Sequence, residues 1–439
     1  MMNIILLSGG SGKRLWPLSN EIRSKQFIKI FKKEDGEYES MVQRMYRHIK
    51  EIDAEANVTI ATSKTQVSAI HNQLGEGNIG ISVEPCRRDT FPAIALATAY
   101  LHDVQHVSED EAVVVCPVDP YVEDDYFEAL KTLASQAEKG EANLVLMGIE
   151  PTYPSEKYGY IIPTSKDTIA DVSTFKEKPD EATAKKYLAE GALWNGGVFA
   201  YKLKYVLDIA RKLLNYTDYE DLFNRYDSLT KISFDYAVVE KEPKIQVMRF
   251  AGEWKDLGTW NTLTEAMTEN VVGEGMMNDN CQNVHILNEL NVPVLAMGLK
   301  NVVISASPDG ILVSDKEESS MIKPYVDSMN QQIMFAEKSW GSFQILDVED
   351  DSRTIKVVLN PGHGMNYHSH MHRDEVWVVL SGEGTTIVDG MEQHISTGDV
   401  ITMQAGCRHT VKAITELKMV EVQLGKDISV QDKQKFSLE

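Results

Sequence analysis

Four short apolar runs, separated by helix-patterned stretches, constrain the N-terminal third of this chain more than any other feature. They are Ile4-Ile5-Leu6-Leu7, Val58-Thr59-Ile60-Ala61, residues 112–116 (AVVVC) and residues 144–149 (LVLMGI). Apolar runs this short suit strands covered on both faces. Residues 92–103 and 125–138 read as helices between them. Such alternation predicts an α/β domain: a Rossmann-like, mixed and mostly parallel sheet with helices on both faces. A ligand then belongs at the carboxyl ends of the strands.

The first run ends in a glycine-rich loop, Leu7-Ser8-Gly9-Gly10-Ser11-Gly12-Lys13-Arg14-Leu15-Trp16-Pro17-Leu18. Glycines let backbone N–H groups approach phosphate oxygens with no Cβ in the way. Lys13 and Arg14 add charge, and Lys25 in Lys25-Gln26-Phe27 supplies a further cation. The string is neither GxxxxGK[ST] nor GxGxxG. We expect Leu7, Gly9, Gly10, Gly12, Lys13, Arg14 and Lys25 around a phosphorylated ligand.

Charge agrees with a small ligand. The chain has 44 basic and 66 acidic residues, a net charge of −22. That excess disfavours nucleic acid and anionic membranes as partners but leaves room for a local basic pocket. The opening run is too short for a signal-peptide core or a membrane span. Cys86, Cys116, Cys281 and Cys407 are scattered and form no CxxC pair. We expect a reduced, cytoplasmic protein whose thiols act as small buried apolar groups.

The length of 439 residues exceeds one core and implies several domains. We expect an α/β domain over 1–270, a β-rich segment over 271–330 and a β-barrel over 331–439. Gly273-Glu274-Gly275 and Asn278-Asp279-Asn280 read as a linker. Short β pieces at 283–286, 292–295, 302–304 and 311–313 follow, as in a small β-solenoid or meander. Residues 323–336 are helix-prone. Beyond Ser339 the pattern is β again, with turns at Pro361-Gly362, Gly382-Glu383-Gly384 and Asp389-Gly390.

Six blocks in order carry a family resemblance: the glycine-rich string with Lys25-Gln26-Phe27; Glu84 to Ala93 (EPCRRDTFPA); Phe175-Lys176-Glu177-Lys178-Pro179; Trp194-Asn195-Gly196-Gly197; residues 235–241 (DYAVVEK); and residues 254–260 (WKDLGTW). Together they resemble the sugar-phosphate nucleotidyltransferases, in particular the mannose-1-phosphate guanylyltransferases. The resemblance implies GTP and a hexose 1-phosphate as substrates, GDP-mannose as product and pyrophosphate as leaving group. It implies that Glu84, Arg88 and Pro92 line the base, and that Gly159, Glu177, Lys178, Asn195 and Gly197 hold the sugar phosphate. Arg14, Lys25, Lys178, Asp119 and Asp256 are the implied catalytic set, with Asp119 and Asp256 on Mg²⁺. The family usually has His after the first Asp, where this chain has Pro120. Another base or hexose is the open alternative. Trp194 and Trp260 are expected in the core.

A second constellation lies near the C-terminus: Gly362, His368, His370, Glu375 and Gly382, then Gly398, Gly406 and His409. Residues two apart on a strand share a face, so His368 and His370 project together. Three imidazoles and a carboxylate suit a divalent transition metal, Zn²⁺ being our expectation. His372 is a spare; His363 and His394 have no assigned role. The pattern resembles the two cupin motifs, with Gln404 and Ala413 where the second usually has Pro and Asn. Residues 339–341 and 372–382 are further similar to the isomerase half of bifunctional mannose-6-phosphate isomerase/mannose-1-phosphate guanylyltransferases. Met371 and Val376 stand where that family has His, and no Arg follows His409 as it does there. Both an active isomerase and a barrel that only holds metal or sugar remain open. A homodimer through the β-rich middle segment is compatible with the pattern.

Overall fold

The computed structural model describes residues 1–10, 13–75, 77, 79–329, 332–426 and 428–437. Gly12 of the glycine-rich loop lies outside the described residues. Two compact units are distinguished. Residues 1–12, 25–67 and 76–268 form the first; residues 13–24, 68–75 and 269–439 form the second.

The first unit is built on a nine-stranded sheet. Its strands are β1 (Asn3–Ser8), β2 (Asn57–Ser63), β3 (Ile79–Glu84), β4 (Ala112–Pro117), β5 (Leu144–Ile149), β6 (Tyr160–Pro163), β7 (Ile169–Lys176), β8 (Leu193–Lys202) and β9 (Ile245–Phe250). They lie in the order β3-β2-β1-β4-β8-β5-β9-β7-β6. Only β8 and β7 run against the rest. The sheet is therefore mixed and mostly parallel, and the four apolar runs are β1, β2, β4 and β5. Strand β8 also pairs with β6, closing β8-β5-β9-β7-β6 into a ring.

Helix α1 (Thr90–Asp103) is buried on both sides. Phe91, Ile94, Ala97 and Leu101 face the sheet core with Ile5, Val113 and Val115, while Ala95, Leu96 and Ala99 pack on Ala210, Leu222 and Tyr226. Spacings of three and four residues divide the helix between two apolar neighbours, so its sequence shows no polar face. Helix α2 (Asp124–Lys139) carries Asp124 and Asp125 in its first turn and ends at Gly140, φ 70°. Acid at the start and left-handed glycine at the end fix its length.

In the second unit, Val271–Gly273, His285–Asn288 and Val302–Ser307 stack in parallel, and Gly275–Met277 pairs with Val294–Ala296. This is a β-solenoid. Gly273-Glu274-Gly275 is not a linker, as its composition suggests, but the corner of the first coil. A Cβ on Gly273 would lie 1.9 Å from the Asn288 carbonyl oxygen, which is why glycine mimics a linker there. Among the described residues the helix-prone stretch contains only a short helix, Lys323–Ser328, with no buried residue; Phe335–Lys338 is a strand. A helix with no apolar face has nothing to hold it beyond one turn or two.

Residues 13–24 dock on this solenoid. Arg23 forms a two-pronged ion pair with Glu289 at 2.7 and 2.8 Å. Asn20 donates to Asp309 at 2.6 Å, and the Ser307 hydroxyl donates to the Pro17 carbonyl at 2.8 Å. A Cβ on Gly310 would lie 2.5 Å from the Trp16 ring, so the close approach requires glycine.

The rest of the second unit is a barrel. A six-stranded sheet, with Ser352–Leu359, Leu417–Leu424 and Asp374–Ser381 at its centre, accompanies a five-stranded sheet that holds His368–His370 and His409–Ala413. Val357, Trp377, Met403, Val411 and Met419 fill its core.

Candidate active site and metal centre

Two cavities open at the carboxyl ends of the parallel strands in the first unit. The first is lined by Leu7 of β1, Gly9 and Gly10 after it, Ser63 of β2, Glu84 of β3 and Pro117 of β4. Gly10 has φ 90°, which lets the loop turn at the cavity edge. Glu84 accepts a 2.7 Å hydrogen bond from the Tyr226 hydroxyl, and burial raises its pKa. Arg88 and Pro92 do not line this cavity. Pro92 is buried inside α1, and the Arg88 guanidinium donates to the Asp227 carbonyl. Arg87, Asp89, Thr90, Ala93 and Lys231 line it instead. Asp89 caps α1 with φ 70°, a conformation uncommon for a residue with a Cβ.

The second cavity shares Pro117 and Asp119 with the first. Gly159, Glu177, Lys178, Asn195, Gly197 and Asp256 all line it. Asp119 follows β4 and precedes the strand Pro120–Val122, which pairs antiparallel with Trp254–Asp256 so that Asp256 stands opposite Pro120. Proline suits the first residue of a strand. The ribbon brings both aspartates to one ammonium: Lys25 Nζ lies 2.8 Å from Asp119 and 3.7 Å from Asp256. Two carboxylates converging on a cation fit a site for a divalent ion that favours oxygen ligands.

Deeper in the cavity, the Glu177 carboxylate is almost fully buried and bonded to Lys178. Burial opposes the charge on Lys178, but the hydrogen bond to Glu177 and the charges of Glu177 and Asp235 together outweigh it, and the pKa rises. A Cβ on Gly159 would lie 2.6 Å from Glu177 Oε2, so glycine leaves the carboxylate its place. The Asn195 amide donates to Asp235 at 2.7 Å and accepts from the Gly197 N–H at 3.1 Å, which fixes its orientation. Burial, then the charge of Glu177, pushes the Asp235 carboxyl up to about 6. The Trp254 indole N–H is buried with no hydrogen-bond partner among the described residues. The cavity thus offers donors and acceptors suited to a polyhydroxylated ring with a phosphate.

Lys13 and Arg14 belong to the second unit, on the turn Lys13–Leu15. Lys13 Nζ is already engaged, 3.0 Å from Asp327 and 3.3 Å from Glu21; Arg14 is exposed. Trp194 and Trp260 are buried.

Sequence reasoning does not single out Asp235, Arg87 or Lys231. Asp235 opens the matched block at 235–241, and that is its signal. Which of Arg87 and Arg88 lines the cavity depends on the backbone geometry before α1. Lys231 falls in no matched block, so nothing marks it.

The barrel gathers His368, His370 and His409, with one nitrogen from each within 4.8 Å of the others, all buried. The Asn366 and Cys407 carbonyls take Nδ1 of His368 and His409 at 2.6 and 3.1 Å, leaving each Nε2 facing the cluster. That is how a metal-binding imidazole is oriented. Burial lowers the pKa of His368 to about 3 and of His370 to about 4, so the rings are neutral near pH 7. Glu375 lies 3.2 Å from His409 and 3.3 Å from His370. His409 Nε2 is nevertheless buried without a hydrogen bond among the described residues. An orphaned lone pair beside a carboxylate fits a divalent metal. Met371 is exposed, and Val376 alternates with inward Glu375 and Trp377, so the two departures lie off the inner face of the barrel.

An α/β fold with two cavities at its strand ends, followed in the chain by a histidine-bearing barrel, defines a class, and comparison with known proteins names it. Residues 3–271 match the nucleotidyl transferase family and residues 355–423 the cupin domain. The chain belongs to the nucleotidyl transferase family, in a form that carries a C-terminal cupin domain. It is 30% identical over 470 residues to the xanthan biosynthesis protein XanB of Xanthomonas campestris pv. campestris (strain B100), covering 98% of this chain and 97% of the relative. It is 28% identical over 474 residues to a mannose-1-phosphate guanylyltransferase of Escherichia coli (strain K12), covering 99% and 97%. The crystal structure of a mannose-1-phosphate geranyltransferase from Thermus thermophilus superposes with a TM-score of 0.61 at 27% identity, covering 74% of this chain and 99% of that one.

Proposed function

We propose that this chain is a mannose-1-phosphate guanylyltransferase, forming GDP-mannose and pyrophosphate from GTP and mannose 1-phosphate. The observation that carries this reading is the position of Asp119. It lines both cavities and, with Asp256, flanks the Lys25 ammonium. A phosphate oxygen of the sugar phosphate attacks the α-phosphorus of the triphosphate, and pyrophosphate departs. Holding two anions in line is most of the catalytic task. We assign Lys178 to the sugar phosphate, and Lys25 and Arg14 to the triphosphate. Gly9, Gly10 and Glu84 hold the nucleotide; Glu177, Asn195, Gly159 and Gly197 hold the hexose. Asp119 and Asp256 would hold Mg²⁺, which supplies neutralisation of phosphate charge.

The test is pyrophosphate release with Mg²⁺, a panel of nucleoside triphosphates and several hexose 1-phosphates. GTP with mannose 1-phosphate is expected to be the best pair. A different best pair would change the base or sugar, and no product from any pair would end the reading.

We further propose that the barrel holds one divalent transition metal, zinc in our reading, on His368, His370, His409 and Glu375. Because Met371 and Val376 lie off the inner face, isomerisation of mannose 6-phosphate to fructose 6-phosphate stands as a second reading. It would be a proton transfer between adjacent carbons. Conversion abolished by Glu375→Ala supports it, and no conversion by the metal-loaded chain excludes it.

Among the described residues no helix is long and apolar enough to cross a membrane. The four thiols are unpaired, which fits the cytoplasm. Paired Met276 and Leu295, both exposed on the solenoid, favour a homodimer through that face; a monomeric sedimentation mass would exclude it.

A further inference from the structure

The barrel holds a cation of its own beside the histidines. Arg373 is only 8% exposed. Its Nε donates to Glu375 Oε1 at 2.9 Å, its Nη2 to His370 Nε2 at 2.9 Å and its Nη1 to the Ser429 carbonyl at 3.0 Å. A guanidinium has donors and no acceptor. His370 Nε2 is therefore the unprotonated nitrogen, and the ring proton sits on Nδ1, which has no partner among the described residues.

A neutral imidazole has one in-plane lone pair. On His370 that lone pair already points at Arg373. A divalent ion needs it too, at about 2.0–2.1 Å. To serve both cations, the ring would have to lose its second proton. His368 and His409 differ: carbonyl oxygens occupy their Nδ1 atoms, and each keeps its Nε2 for the cluster. Glu375 is contested as well, since its Oε1 accepts from Arg373 while its Oε2 faces His409. Two cations on one buried carboxylate repel each other.

We propose that Arg373 is a resident cation that competes with a divalent metal for His370 and Glu375, so that metal enters only as the guanidinium withdraws. This rests on reading the cluster as a metal site. The alternative role for such an arginine is to orient Glu375 for a bound metal, and it predicts the opposite sign.

The experiment is a zinc titration of the full-length chain against a chromophoric chelator, comparing wild type, Arg373→Met, Arg373→Gln and the double variant Arg373→Met/His370→Ala. The glutamine variant keeps polar contact with Glu375 without the charge, and serves should the methionine variant fold poorly by circular dichroism. Competition predicts that removing the charge tightens zinc binding at least ~10-fold, and that the double variant loses the gain. Unchanged affinity overturns the proposal, as does a loss of about 10–100-fold, the signature of an orienting residue. Absence of zinc from the cluster in every variant overturns the metal reading and this proposal together, an outcome distinct from either.

Discussion

Asp256 and Asp235 occupy the same cavity in opposite states. Asp256 is half exposed beside Lys25, and we expect Asp256→Asn to cut pyrophosphate release by at least ~10²-fold, since a metal ligand stabilises transition-state charge by several kcal/mol. An active variant would move the metal elsewhere. Asp235 is buried with its carboxyl pushed up to about 6 from an ordinary 3.8. Between those values the folded chain holds a proton that the unfolded chain has lost. Stability therefore falls as pH rises across that window, by roughly 2–3 kcal/mol from this group. In urea unfolding at pH values of about 4.5 and 7, Asp235→Asn should flatten that part of the pH dependence; an unchanged slope would place the titration on another group. At this scale much is legible in the sequence. Asp256, Glu177, Lys178, Asn195 and Gly197 sit in matched blocks, Asp119 and Gly159 fall between blocks, and one cavity gathers all of them. Asp235 lies in a matched block without a readable role, because its proximity to Glu177 depends on strands distant in sequence.

Single elements explain what the pattern can and cannot reveal. Strands β1, β2, β4 and β5 announce themselves because burial on both faces leaves few polar positions. Strand β8 does not: its middle carries Asn195, Gly196 and Gly197, so its apolar content is broken where it enters the cavity. The first solenoid coil passes for a linker for a related reason, since its corner glycine answers to the Asn288 carbonyl rather than to flexibility. Gly310 is the corresponding close approach to Trp16. We expect Gly310→Ala to lower thermal stability and loosen residues 13–24, seen as faster proteolysis there, because the added methyl meets a ring at 2.5 Å. Equal proteolysis would show that the indole can shift freely. In the barrel, alternation along Asp374–Ser381 aims Glu375 inward and Val376 outward, so a family-level substitution that looks damaging leaves the proposed ligands undisturbed. His370→Ala should then abolish about one bound metal per chain by elemental analysis.

Taken whole, the division of the chain does not follow its linear order. The six matched blocks all precede the solenoid, which suggests a self-sufficient N-terminal enzyme. Residues 13–24, however, find their partners in Glu289, Ser307, Asp309 and Gly310. A chain ending at Met276 is expected to keep a folded sheet and measurable GTP binding, yet to release pyrophosphate far more slowly than the full-length chain. Full activity in the truncated chain would show that docking of residues 13–24 is dispensable. The same connectivity has a meaning during synthesis. The ribosome makes residues 13–24 almost first and their anchors much later. A nascent chain, or a fragment left by premature termination, therefore carries the signature loop without its mooring. On the truncation result expected above, full turnover would begin only once residues 289–310 have been made and residues 13–24 can bind them.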